Sequence, residues 1–206
     1  SITDHLAVTA TICAYVRENV DAPSSESSRS DPKAMRLDID TALKVLFDRR
    51  SINLHAVEIE KNFFCDLNRL YLSRARLVRA RLWWVDFEGA DLRGSNLSGA
   101  VLTNACMSKA DLRETYLAHC RLDGCSLRGA DLSTATGLES EMLKTAYGVK
   151  NGDQRTLLPS YIQPPTHWYD YDAEVRERGQ VAARLYDVAY REFIEAKEYQ
   201  PSKYVG

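Results

Sequence analysis

Four groups of residues in this chain could do chemistry, and their spacing decides what that chemistry would be. "HCRLDGC" at 119–125 sets His119 beside Cys120 and Cys125, the imidazole and thiolate ligands that zinc favours. Asp66, Asp86, Asp91, Asp111 and Asp131 recur at multiples of five, and paired carboxylates can serve as general acid and base. Arg69, Arg74, Arg76, Arg79 and Arg81 crowd guanidinium groups into one short stretch, suited to carboxylates or phosphates. Trp83 and Trp84 are adjacent indoles, the side chains that most often anchor a protein interface. A glycine loop for phosphates, a nucleophile elbow and an HExxH motif are all missing from the sequence.

What must position these residues is a repeat. Every fifth residue from Leu67 to Leu132 is large and apolar, fourteen in unbroken register, and the residue two places before each is small or modest except at Leu70. A period of five fits neither the 3.6 of a helix nor the 2.0 of a strand. It fits a chain that turns a corner every five residues with one large and one small side chain pointing inward per side. Four sides close a square coil, coils stack at about 4.8 Å, and fourteen repeats make three and a half coils. Leu67, Phe87, Met107 and Leu127 then share one interior column, and Cys65, Val85, Ala105 and Cys125 another.

The register reassigns most of the candidate chemistry. The five aspartates take the corner slot, where a short polar side chain bonds neighbouring backbone, so no catalytic residue is assigned. Cys120 and Cys125 point inward as small hydrophobes while His119 points outward, so no metal site and no cofactor is expected. Cys106 points outward and is expected to be the more reactive thiol. The five arginines all face out, but on different sides of the coil, as a solvated belt or a surface for an acidic or phosphate-bearing partner. Trp83 and Trp84 follow interior Leu82 and face out, exposing roughly 150–250 Å² each unless covered. Either a flanking helix, the C-terminal one above all, lies over them, or they form a site for a partner or for self-association.

The copies "ADLRG" (90–94), "SNLSG" (95–99), "ADLRE" (110–114) and "ADLST" (130–134) carry the motif A-(D/N)-L-x-x. The chain thereby resembles the pentapeptide-repeat family. The resemblance implies an all-β solenoid, a right-handed quadrilateral β-helix, here of about four coils with N-terminal helices and a C-terminal helix. A looser first coil is expected from Ile52, Leu54, Val57, Ile59, Asn62 and Phe64, with an irregular corner near Phe63–Cys65. The C-terminal run GL…A-G…GD-x-x-T-x-LP…P-x-HW is similar to that of a bacterial subgroup in which a helical region precedes the repeats. Some members of that subgroup carry membrane-spanning helices further upstream.

The flanks read as caps, since a solenoid with open ends exposes its core. Residues 1–51 form an N-terminal helical cap: Leu6, Val8, Ile12 and Val16 make one stripe, and Leu37, Ile39, Ala42, Leu43, Leu46 and Phe47 another. A Ser-rich linker (21–33) joins them. The β-helix occupies 52–136, with Gly137 breaking the pattern. A short helix and a proline-bearing irregular segment fill 137–168. An amphipathic helix and tail take 169–206, with Val181, Leu185, Val188 and Ala189 on one side.

Composition narrows the function. Hydrophobic residues are 45% and charged residues 27% of 206, with a net charge of −2, ordinary values for a globular domain. The repeat region, 52–138, carries 11 Lys and Arg against 10 Asp and Glu, so nucleic-acid binding is not expected. The five cysteines are read as reduced thiols. No apolar run approaches the ~18 residues of a membrane span. The expectation is therefore a cytoplasmic, non-enzymatic scaffold for an unidentified protein partner, reaching a membrane only through a segment upstream of Ser1. The alternative is a DNA-mimicking gyrase-binding protein of the same family, which the arginine-rich first coil weakens. The residues expected to make contact are Trp83 and Trp84, then the arginines.

Overall fold

The computed structural model describes residues 2–20, 37–47, 65–173 and 182–196. The linker 21–33, the looser coil over 52–64, Val181 and the C-terminal tail lie outside the described residues. Among the described residues the helices with assigned bounds are α1 (Ile2–Asn19), α2 (Leu37–Phe47), α3 (Ser140–Leu143) and α4 (Ala182–Ala196). Between α2 and α3 the chain forms a ladder of parallel bridges in which each residue pairs with the one twenty places on, from Asp66↔Asp86 through Tyr116↔Thr136. Five residues per side and twenty per turn make each coil four-sided.

Side-chain size enforces that path. The every-fifth residues Leu67, Phe87, Met107 and Leu127 are all at 0% exposure, and the small residues between them let the walls close on so narrow a core. Backbone groups are satisfied between coils: Leu67 donates to Asp86 O at 2.8 Å, and Asp86 N–H donates to Cys65 O at 3.0 Å. Where the corner slot holds Asp or Asn it adds a bond within the repeat, with Asp86 Oδ1 accepting from Glu88 N–H at 2.8 Å and Asn96 Oδ1 from Ser98 N–H at 3.0 Å. The last residue of each five-residue copy from Arg69 to Gly129 turns the corner in the left-handed region, as at Gly94 with φ +64°.

At the N-terminal end α1 and α2 pack on the first coil. Ile39, Leu43, Leu46 and Phe47 of α2 and Val16 of α1 are buried in one cluster with Leu67 and Leu72. The faces differ from those the sequence indicates: Val8 and Leu37 are exposed, and α1 turns Thr9, Cys13 and Val16 inward. Thr9, Cys13 and Val16 stand at i, i+4 and i+7, a stripe whose first member is polar and therefore unmarked by hydropathy.

At the other end the coil continues beyond the regular repeats. Tyr147 bridges to Ser126, Leu157 to Asp131, and Tyr169 to Val149, while Leu143, Ala146, Ile162 and Trp168 join the same core. Trp168 is 2% exposed and its indole N–H donates to Ala146 O at 3.1 Å, so the proline-bearing segment plugs the rod. Helix α4 docks outside this plug through Leu185, Tyr186, Ala189, Tyr190 and Phe193 against Tyr147, Val149 and Tyr169. Val188, expected on that face, is exposed; the aromatic stripe 186-190-193 sets the docking face instead.

Candidate functional site

The four corners of the first described coil carry Arg69, Arg74, Arg79 and Trp84, all at φ between 55° and 63°. The corners beneath them carry Gly89, Gly94, Gly99 and Asn104. A β-carbon on Gly89, Gly94 or Gly99 would stand 3.5, 3.5 or 3.3 Å from Cγ of Arg69, Arg74 or Arg79. The arginine stems therefore lie along the wall over glycine. At the fourth corner both turn residues beneath the tryptophans are buried, Thr103 at 3% and Asn104 at 6%. Trp83 and Trp84 themselves are half-buried, and the Arg81 guanidinium stands 5.8 Å from the Trp83 ring, within cation–π range.

The five arginines do not form one surface. Arg76 is held by α2: its Nε meets Asp40 Oδ2 at 2.9 Å, and its backbone N–H meets Asp40 Oδ1 at 3.0 Å. Arg81 ties the same helix through its backbone N–H to Phe47 O at 3.2 Å. Arg69, Arg74 and Arg79 stand at three successive corners. Two of the five thus help to seat the N-terminal cap, a role that no local pattern in the sequence announces.

The tryptophan corner is also where α4 is anchored, two coils further along. Tyr190 Oη donates to Gly124 O at 2.8 Å and Tyr186 Oη meets Ser126 Oγ at 3.0 Å. Arg128 lies 4.9 Å over the Tyr186 ring and pairs with Asp187 at 3.4 Å. Burial pushes both phenols well above their ordinary range. Phe193 stacks on His167 and Tyr147 at 5.2 and 4.9 Å. The sequence reading did not include this aromatic cluster; its signal was the i, i+4, i+7 run of Tyr186, Tyr190 and Phe193. Beside it a cavity of about 150 Å³ is lined by Arg128, Val149, Asp153, Gln154, Tyr169, Tyr171 and Tyr186, smaller than the usual ~300–1,000 Å³ of a ligand pocket.

The remaining candidates resolve into structure. Arg93 bonds Asp91 at 2.6 Å and reaches Asp111 at 3.5 Å; Arg113 bonds Asp111 at 2.6 Å and reaches Asp131 at 3.6 Å. At Asp111 burial acts to raise the carboxyl, but the bonds and charge of Arg113 outweigh it and hold the group below its ordinary range. Cys120 donates to Leu97 O at 2.8 Å and burial lifts its thiol to about 12. Burial likewise raises Cys125, which is fully enclosed, while His119 turns outward at a corner. Cys106, expected to be the reactive thiol, is only half-exposed, and burial raises it too. A neutral thiol is a poor nucleophile, yet Cys106 is the least covered of the five cysteines, the other four being buried, which keeps it the more reactive by comparison. No helix among the described residues is long and apolar enough to cross a membrane.

Comparison with known proteins places the coil. The family described as pentapeptide repeats matches residues 64–94 and 95–133 in 8 copies. Among solved structures, a pentapeptide repeat protein from the Arabidopsis thaliana thylakoid lumen is 31% identical, with a TM-score of 0.35 over 36% of this chain and 51% of its own. The chain thus spans about half the length of that protein. The pentapeptide repeat protein alr5209 from Nostoc is 30% identical, with a TM-score of 0.26 over 53% of this chain and 86% of its own. QnrB1, a plasmid-mediated fluoroquinolone resistance protein, is 20% identical, with a TM-score of 0.24 over 55% of this chain and 70% of its own. No curated protein matches.

Proposed function

The chain belongs to the pentapeptide-repeat family, and from that premise we propose that it is a non-catalytic scaffold, a right-handed β-helix of about four coils with helical flanks, that binds a protein partner through its first coil. One observation carries the reading. A left-handed corner favours glycine, because a β-carbon there costs roughly 1–2 kcal/mol. The second coil takes glycine at three of four corners and the third takes Lys109, Glu114, His119 and Gly124, whereas the first takes Arg69, Arg74, Arg79 and Trp84, with no glycine at any corner. Four bulky side chains at positions that disfavour them, on one coil, point to a role outside the fold itself. Between residues 67 and 86 there are five arginines and one aspartate, so the partner surface that fits is acidic, with an apolar patch to meet Trp83 and Trp84.

The test is affinity capture with the full chain in parallel with the Trp83→Ala/Trp84→Ala and Arg69→Ala/Arg74→Ala/Arg79→Ala variants. A partner that binds the wild type and loses at least tenfold in affinity to both variants supports the reading. Partners retained equally by all three forms overturn it. A supercoiling assay with purified gyrase separates the DNA-mimic alternative, for which inhibition or protection at micromolar protein is the expected signature.

A further inference from the structure

Cys13 lies at the centre of the buried face of α1, and Cys65 is at an inward small position, the first described residue of the coil. The two sulfurs stand 2.7 Å apart, although 52 residues separate them in sequence. One helical turn further along, Arg17 reaches the next coil residue: its Nη1 bonds Asp66 Oδ1 at 2.9 Å and Asp66 O at 3.2 Å. Two cross-contacts a turn apart fix the register of α1 on the coil, so the meeting of the thiols follows from how the cap is seated. The other thiols have different neighbours: Cys120 faces Leu97 O, Cys125 faces Ser126 O and Cys106 faces Ser108 Oγ.

We propose that Cys13 and Cys65 are a site of reversible oxidation, forming a disulfide that latches the N-terminal cap onto the coil by exchange with a small-molecule disulfide of the glutathione class. The first thiolate attacks one sulfur of the reagent, giving a mixed disulfide and releasing one thiolate. The second protein thiolate then attacks the protein sulfur of that mixed disulfide and releases the other. One S–S bond is lost in the reagent and one is gained in the protein. Two electrons pass from the protein thiols to the reagent, and the two protons they give up are taken by the two released thiolates.

Both cysteines are over nine-tenths covered, so the reagent gains access only when α1 lifts. The bond, once formed, prevents that lifting. The closed loop contains α2 as well, so α1 and α2 would be tethered together over the apolar end at Leu67 and Leu72. Under reducing conditions the cap is held by packing and by non-covalent contacts that include Arg17–Asp66, Arg76–Asp40 and Arg81 N–H to Phe47 O. All five cysteines, this pair included, are free thiols in the structure. The proposal is independent of the assigned partner surface.

The experiment incubates the full chain in an oxidised-glutathione buffer and, in parallel, with dithiothreitol. Remaining thiols are alkylated under denaturing conditions, and tryptic peptides are mapped by mass. Cys13 falls in peptide 1–17 and Cys65 in peptide 62–69, one cysteine each. The expected result is a chain lighter by two hydrogens before alkylation and a single cross-link between those peptides. Cys106, Cys120 and Cys125 should be fully alkylated, and the cross-link should vanish with dithiothreitol or in Cys13→Ser. Four results would each overturn the proposal: glutathione held stably on either residue, a link to another cysteine, a disulfide dimer, or two free thiols at equilibrium in the oxidising buffer.

Discussion

Replacing Gly137 by alanine should damage this protein well beyond what its backbone conformation alone demands. Gly94 provides the comparison. Both have positive φ, +64° at Gly94 and +72° at Gly137, so each substitution incurs the left-handed cost of roughly 1–2 kcal/mol. At Gly94 the added carbon meets only the Arg74 stem, 3.5 Å away, an ordinary contact with a movable side chain. At Gly137 it would stand 2.7 Å from Ala118 N and 3.0 Å from Ala118 Cα and Cβ. That neighbour cannot swing aside, because Leu117 N–H bonds Thr136 O at 2.8 Å and Thr136 N–H bonds Thr115 O at 2.9 Å. Overpacking against fixed atoms adds about 1–3 kcal/mol, so Gly137→Ala should cost about 2 kcal/mol more than Gly94→Ala, close to a thirtyfold difference in the folding constant. Urea unfolding followed by far-ultraviolet circular dichroism and tryptophan emission measures both, with buried Trp168 reporting the C-terminal end. Equal midpoints for the two variants, at unchanged slope, would refute the reasoning.

Three further outcomes follow from side-chain contacts. Asp40→Ala should destabilise the cap more than Arg76→Ala, about 1–3 kcal/mol against well under 1 in urea melts, because it also strips the acceptor from the Arg76 backbone N–H. Tyr186 and Tyr190 are raised above their ordinary value of 10.0, so the stability they lend is complete below that pH and falls as pH rises past it, because the unfolded phenols ionise first. Docking of α4 should therefore weaken in alkali, with tyrosinate absorbance appearing as the helix leaves, and Tyr186→Phe/Tyr190→Phe should flatten that dependence. Cys106 should react with iodoacetamide more slowly at neutral pH than the same residue in urea, with its rate profile displaced to higher pH.

The coil was legible because its rule is local: a large residue every fifth place with a small one two places before it fixes path and core, and an aspartate or asparagine before the large residue in six of the fourteen repeats marks the corner bonding. Phe87 and Met107 could be placed in one column from spacing alone, and the five aspartates could be retired as catalysts by the same count. The flanks were less legible because a helix's buried face is chosen by what it meets. Val8, Leu37 and Val188 look like core residues by hydropathy yet are exposed, while Thr9 and Cys13 face inward beside the coil. The contacts that seat the cap are non-local: Asp40 precedes Arg76 by 36 residues and Cys13 precedes Cys65 by 52. No window of sequence contains both members of either pair. Cys106 occupies an outward slot, but the column it shares with Ser126 is the one on which Tyr186 lands, and that landing is a tertiary event.

The pairing of each residue with the one twenty places on gives the rod an angular phase. A five-residue insertion leaves every repeat intact, yet carries everything after it a quarter turn around the axis. Placed between Ala105 and Gly124, such an insertion would swing the tyrosine anchors of α4 to a corner adjacent to the one holding Trp83 and Trp84. A twenty-residue insertion would lengthen the rod and leave both on one edge. The length of this rod can therefore vary freely only in whole coils, and any pair of features on its wall works as a vernier on that rule.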